Sequence, residues 1–160
     1  MVATFGWVEY LATLTSTAVP TNLNLGSTIE ANLAPSTYPI TAGTYSYEKW
    51  VRANFSDDFT RIENIQFWKS AGAYVTGETI KWTGKETAYV APIVVVSTRA
   101  TTAAPTADPT TANVTIGGSL TGSLTTTGNS DFIVLQASVT SGASAGAVNQ
   151  KTFTLQYDEV

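Results

Sequence analysis

The feature that most constrains the fold is an alternation of apolar and polar residues with period two, without any stretch of helical periodicity. In the run 45–55, one face of a strand would carry Tyr45, Tyr47, Lys49, Val51, Ala53 and Phe55. The other, mostly polar face would carry Ser46, Glu48, Trp50, Arg52 and Asn54. Because side chains alternate between the two faces of a strand, the pattern predicts an all-β chain.

A second alternating run, residues 59–68, follows the first after a short polar link. The link, Ser56-Asp57-Asp58, consists of residues that favour turns. Two alternating runs around a tight link predict a β-hairpin, with Trp50 and Trp68 on neighbouring strands.

Further strands are predicted in the segments 3–15, 22–31, 73–81, 87–98, 113–127, 131–140 and 151–158. Thr83-Gly84-Lys85 separates two of them, and the continuous apolar run 93–96 predicts a buried strand. In segment 131–140, Ile133, Leu135, Ala137 and Val139 would face the core, and in segment 151–158, Phe153, Leu155 and Tyr157 share one face. We expect these two strands to pair as a closing hairpin.

About nine or ten short strands predict a β-sandwich, Ig-like or jelly-roll-like. The length of 160 residues suits one domain, 1–160. The Thr/Ala/Pro-rich stretch 97–113 has no aromatic or large apolar residue, so little of it can be buried. It is either a surface loop or a boundary between two small β units.

Composition excludes several kinds of catalytic site. The chain has no Cys and no His, so thiol nucleophiles, thiolate metal sites and imidazole bases are impossible. Of the twelve carboxylates, Asp57-Asp58 lies at the predicted turn and Asp158-Glu159 near the C-terminus. We therefore expect no enzyme activity and no catalytic, cofactor or metal site. Asn54 with Asp57 and Asp58 is an alternative calcium site, but the simpler interpretation is a turn.

Charge and hydropathy limit the partners. The eight Lys and Arg are scattered and the formal net charge is −4, so no nucleic-acid partner is expected. No apolar run reaches the roughly 18–20 residues that cross a bilayer, and residues 1–10 lack the basic start of a signal peptide. Thr, which suits the solvent-facing side of a strand, accounts for 28 residues.

Aromatic residues offer two interpretations. Four Trp, seven Tyr and six Phe are enough to dominate a core. Alternatively, exposed rings would form a platform for sugars or a hydrophobic patch for a partner protein, as in a carbohydrate-binding or adhesion module. The N-terminal residues Phe5, Trp7, Val8, Tyr10 and Leu11 likewise fit either a core strand or an arm that reaches a neighbouring subunit.

Segments 44–52, 59–68 and 153–159 resemble tailed-bacteriophage virion proteins, small Cys-free β-domains rich in Thr, Ala and Gly. The resemblance implies a non-enzymatic protein that binds the outer capsid surface and decorates or stabilises the head, as a cement protein does. It implies the major capsid protein or other virion proteins as partners, homo-oligomerisation, and a place in the virion after assembly in the host cytoplasm. A tail, neck or fibre component is the alternative within the virion.

Overall fold

The computed structural model describes residues 2–14, 16–18, 22–143 and 149–160. Within these ranges the chain forms strands, turns and loops without a helix, which confirms the all-β prediction. None of the described segments is a helix long and apolar enough to cross a membrane. The strands are β1 (Thr4–Tyr10), β2 (Ser16–Ala18), β3 (Lys49–Ser56), β4 (Ile62–Ala71), β5 (Glu78–Glu86), β6 (Thr102–Ala103), β7 (Gly128–Asn129), β8 (Phe132–Val139) and β9 (Thr152–Glu159).

The strands form two antiparallel sheets. The large sheet has the order β2-β1-β3-β8-β5-β6, with β7 pairing the end of β3. The small sheet consists of β4 and β9. The predicted strands in segments 131–140 and 151–158 are therefore present as β8 and β9, but they lie in different sheets, and the predicted closing hairpin between them is wrong.

The small sheet packs on one face of the large sheet, which we call the inner face. The ring of Phe67 on β4 stacks on Phe153 at 5.2 Å between centroids and lies 5.5 Å from Trp82 on β5. Tyr157 on β9 meets Phe55 on β3 edge-to-face at 4.8 Å. The predicted apolar faces of β3 and β9 therefore both belong to the core, as do Ile133 and Leu135 of β8.

The opposite, outer face of the large sheet is also covered, because the segment 87–101 passes over it. Trp50, Phe132 and Val134 form a second buried cluster there with Ala100 from the covering segment, and Tyr89 packs against it. This explains why residues 132–137 of β8 are all buried. On the predicted, mostly polar face of residues 45–55, Ser46, Glu48 and Trp50 are buried.

The predicted hairpin between residues 45–55 and 59–68 is also wrong. β3 pairs with β1, β7 and β8, whereas β4 pairs with β9 in the small sheet. After Ser56 the chain adopts a left-handed conformation at Asp57 (φ 70°) and crosses from one sheet to the other. Trp50 and Trp68 are therefore on strands of different sheets.

Four further strand predictions fail in part or entirely. Segment 22–31 is irregular, and Asn24 donates its side-chain amide to the Leu33 carbonyl, a local bond that competes with sheet pairing. Segment 113–127 turns sharply at Gly117 (φ 58°) and Gly118 (φ 82°). Residues 83–85 are predicted to separate a strand in segment 73–81 from a strand in segment 87–98. Instead β5 runs through that point, and no strand is found in 87–98.

Gly84 explains why β5 continues. A Cβ there would lie 2.9 Å from the Asn113 carbonyl oxygen, so glycine lets the following segment pack directly on the strand. Thr115 N then donates to the Gly84 carbonyl at 2.9 Å. The glycine is thus a point of close backbone approach and does not end the strand.

The stretch 97–113 is largely exposed, as expected, but it is tied to both sheets. β6 pairs with β5, and Asn113 exchanges two hydrogen bonds of 2.8 Å with the Phe67 backbone of β4. Ala100 and Ala104 are buried. The assignment of 1–160 to a single domain stays a prediction.

The N-terminal segment is a strand of the large sheet, so the arm interpretation is wrong for residues 4–10. β1 pairs with β3 along its whole length. Glu9 is buried and forms a 2.6 Å ion pair with Lys49, which is buried too. Removing one partner would leave a buried charge uncompensated, so this pair fixes β1 on β3.

Candidate functional site

The most unusual surface feature is the valine loop, which we define as residues 93–97. The sequence predicts a buried strand here, but the side chains of Val94, Val95 and Val96 are 40, 62 and 49 % exposed. Val90, earlier in the same covering segment, is 38 % exposed. Isolated exposed apolar residues are common, whereas a contiguous run marks an interaction surface.

The backbone of the valine loop is held by Gln136, a buried residue at the centre of β8. Its side-chain amide donates to the carbonyls of Val95 at 2.8 Å and Ser46 at 2.9 Å, and its oxygen accepts from Ser97 N at 2.8 Å. Glu48 N also donates to the Ile93 carbonyl at 3.0 Å. The bonds that a neighbouring strand would make are thus made by one side chain and one backbone amide.

Glu48 anchors the end of the loop from below. Its buried carboxylate accepts from Ser97 Oγ at 2.5 Å and from Trp50 Nε1 at 2.9 Å. Ser97 Oγ in turn accepts from the backbone amides of Arg99 at 3.1 Å and Ala100 at 2.8 Å. Hydrogen bonds to a charged group in a buried site are the stronger kind, so this network holds the loop in one conformation.

The direction of the valine side chains follows from these bonds. The Val95 carbonyl and the Ser97 amide bond to Gln136 and the Ser97 hydroxyl bonds to Glu48, whereas the side chains of the three valines are exposed. No charged residue occurs between positions 87 and 98. The result is a fixed, uncharged and apolar surface on the outer side of the molecule.

Tyr89 fixes the start of the covering segment. Its hydroxyl donates to the Leu11 carbonyl in the turn after β1, and its ring contacts Trp50 and Tyr10. Burial raises the pKa of the Tyr89 phenol. The segment that carries the valine loop is therefore held at both of its ends, by Tyr89 and by Ser97.

The aromatic platform considered from the sequence is not assembled by the four Trp residues. Trp50 and Trp82 are buried, and the half-buried Trp7 packs against Phe67 at 6.1 Å. Trp68 is half-buried on β4. Three of the four Trp rings thus serve core packing, the first of the two interpretations.

The alternative calcium residues do not converge either. The side chain of Asn54 is directed to β7, where it donates to Asn129 Oδ1 at 3.0 Å. Asp57 and Asp58 are exposed at the crossing between the sheets. Across the part of the chain that the structure describes, no three His, Cys, Asp or Glu residues are grouped so as to hold a metal ion.

The acidic residues near the C-terminus have structural partners. Asp158 accepts from Asn64 Nδ2 at 3.0 Å, and Glu159 accepts from the Ala3 backbone amide at 2.9 Å. Each carboxylate therefore links β9 to another part of the molecule.

Comparison with known protein families, with curated proteins and with solved structures finds no match to this chain. The valine loop is therefore the feature of this chain that bears most directly on function. The only sequence signal of the valine loop is the apolar run after Pro92, and periodicity cannot distinguish such a run from a buried strand.

Proposed function

We propose that this chain is a non-enzymatic structural protein of a tailed-phage virion, which binds the outer capsid surface and decorates or stabilises the head. The observation that supports this proposal best is the valine loop, an apolar surface displayed on a rigid support. The resemblance of three segments to virion β-domains supports a virion as the particle to which the chain binds. The valine loop would be the surface through which it binds.

A rigid apolar loop suits attachment for energetic reasons. Full burial of a Val side chain stabilises an interface by roughly 1.5–3 kcal/mol. Because the hydrogen bonds to Gln136 and Ser97 already hold the backbone, little conformational entropy remains to be lost on binding. Many copies on one particle would turn a modest contact into stable attachment.

As the finer fold, we propose a β-sandwich of Ig-like or jelly-roll-like type. The packing of the small sheet on the inner face, through Phe67, Phe153 and Tyr157, supports two facing layers. Two packed sheets would form a compact scaffold that holds the outer face in place.

The proposal is tested by immunogold labelling of purified source particles with an antibody against this chain. Label spread over the heads supports capsid attachment. Label confined to tails would replace it with the tail, neck or fibre alternative. Particles without label would overturn the virion proposal and favour the carbohydrate-binding or adhesion module, for which a glycan panel monitored by Trp fluorescence is the next measurement.

A further inference from the structure

The free edge of β9 is a second surface, separate from the valine loop. β4 is its only partner among the described strands, and no backbone group of the described loops bonds to its backbone, although the Ala3 amide donates to the side chain of Glu159. In an antiparallel pair, every second residue of an edge strand directs its N–H and C=O groups away from the sheet. β9 has eight residues, so this row is about 27 Å long at 3.4 Å per residue.

The opposite edge of the small sheet, which β4 forms, is covered. Lys69 N on β4 donates to the Pro105 carbonyl at 2.8 Å, and Ile62 exchanges backbone bonds of 2.9 Å with Leu124. The register irregularities of the sheet add residues to β4 and leave β9 regular. β9 also has neither Lys nor Pro, two of the residues with which natural edge strands prevent pairing, and its two charged residues lie together at its end.

The sequence of this edge is self-complementary about Leu155. In an antiparallel pair of two copies related by a two-fold axis at Leu155, residues at equal distances from Leu155 face each other. The facing pairs are Thr154 with Gln156, Phe153 with Tyr157, Thr152 with Asp158, and Lys151 with Glu159. Polar residues meet polar ones, aromatic residues meet aromatic ones, and the charged pair has opposite signs.

The faces of the strand agree with this register. Phe153, Leu155 and Tyr157 lie on the core side and are half-buried, so each has surface left to cover. Positions that face each other across such an axis always lie on the same side of the joined sheet. Phe153 of one copy would therefore meet Tyr157 of the other on the core side.

Charge favours the antiparallel arrangement over a parallel one. Lys151 immediately precedes β9 and pairs with Glu78 at 2.5 Å, and Lys69 lies opposite Phe153 on β4, both largely buried, whereas Asp158 and Glu159 lie at the end of β9. Antiparallel pairing brings the acidic end of one copy to the lysine end of the other. Parallel pairing in register would place like carboxylates side by side.

We infer that β9 is the site of homodimerisation, where a second copy of this chain pairs antiparallel about Leu155 and joins two small sheets into one four-stranded sheet. This inference does not depend on capsid attachment. The valine loop lies on the outer face of the large sheet, and β9 lies over its inner face, so the dimer leaves the loop available.

The first experiment measures the mass of the purified free protein by light scattering over a range of concentrations. We expect a dimer for the wild type and a monomer for the double variant T154K/Q156K, which places lysines opposite each other in the proposed register. The control T125K/T126K adds the same charge at two exposed neighbouring positions and should remain dimeric. A monomeric wild type, or a T154K/Q156K dimer as stable as the control, would overturn the inference.

The second experiment tests the register and uses the absence of Cys from the chain. T154C and Q156C are purified singly, mixed and oxidised, and the disulfide-linked species are identified by mass. We expect mainly the mixed disulfide between the two variants, and none between T154C and the exposed control T110C. No disulfide, or as many with T110C, argues against pairing about Leu155. Failure here would leave the immunogold result unaffected.

Discussion

At the scale of single residues, Gln136 connects the core of the large sheet to the valine loop. A buried polar side chain on a central strand is tolerated only when its hydrogen-bonding groups are satisfied. Here they are satisfied by Ser46, Val95 and Ser97, so the residue that lies in the core also determines the shape of the surface.

We predict that Q136L lowers the free energy of unfolding by about 3 kcal/mol, because it leaves buried backbone groups of Ser46, Val95 and Ser97 without partners. Chemical denaturation measures the loss, and hydrogen exchange at Ser97 N should become faster. The control Q150L changes an exposed Gln and should leave stability within about 0.5 kcal/mol of the wild type. Equal stability of the two variants would mean that Gln136 does not hold the loop.

Tyr74 is half-buried, and its hydroxyl is buried without a hydrogen-bond partner among the residues that the structure describes. Burial raises the pKa of Tyr74, the Glu78 carboxylate adds to the rise, and the Ile80 backbone opposes it. The unfolded chain therefore releases this proton at lower pH than the folded chain. Stability should fall as the pH rises above the unfolded value of about 10.

We predict that Y74F is at least as stable as the wild type at pH 7, since it removes an unpaired buried hydroxyl. Between pH 9 and 11 it should lose less stability than the wild type. Denaturation curves at several pH values measure both effects. A steeper alkaline loss in Y74F than in the wild type would contradict the assignment.

At the scale of elements, the sequence predicts best where alternation is strict. The strands in segments 131–140 and 151–158 are present, and Val51, Ala53 and Phe55 face the core as expected. Alternation reports which residues share a face, and it holds wherever one face is buried.

Pairing is predicted poorly because it depends on contacts distant in sequence. β3 and β4 adjoin in sequence and alternate well, yet their partners are β1 and β8 for one and β9 for the other. The valine loop was missed for a related reason. Its hydrogen bonds come from Gln136, some forty residues away, and no local sequence pattern predicts them.

β1 provides a prediction at this scale. Deleting residues 1–10 removes β1, which pairs with one side of β3 from Trp50 to Ser56, and leaves Lys49 without Glu9. We expect loss of cooperative unfolding, measured by circular dichroism during heating, because an unpaired buried charge alone costs about 3–5 kcal/mol. Removing only residues 1–2 is the control, since Val2 is exposed. A folded 11–160 chain would restore the arm interpretation.

At the scale of the whole molecule, the two faces of the large sheet have different roles. The inner face and the small sheet form the main core, whereas the outer face carries a thin cover of loop that displays valines. Because the cover is held by buried polar groups, apolar side chains can remain outside without loosening the fold. Under our proposals, this side binds the capsid and the β9 edge binds a second copy.

The most direct test of the central claim is cosedimentation of the purified chain with source particles depleted of it. We predict that V95D, which adds a charge to the most exposed residue of the valine loop, weakens binding at least tenfold. L120D, the same change at an apolar residue that is 37 % exposed outside the loop, should bind like the wild type. If V95D is folded and binds as tightly as L120D, the valine loop is not the attachment surface.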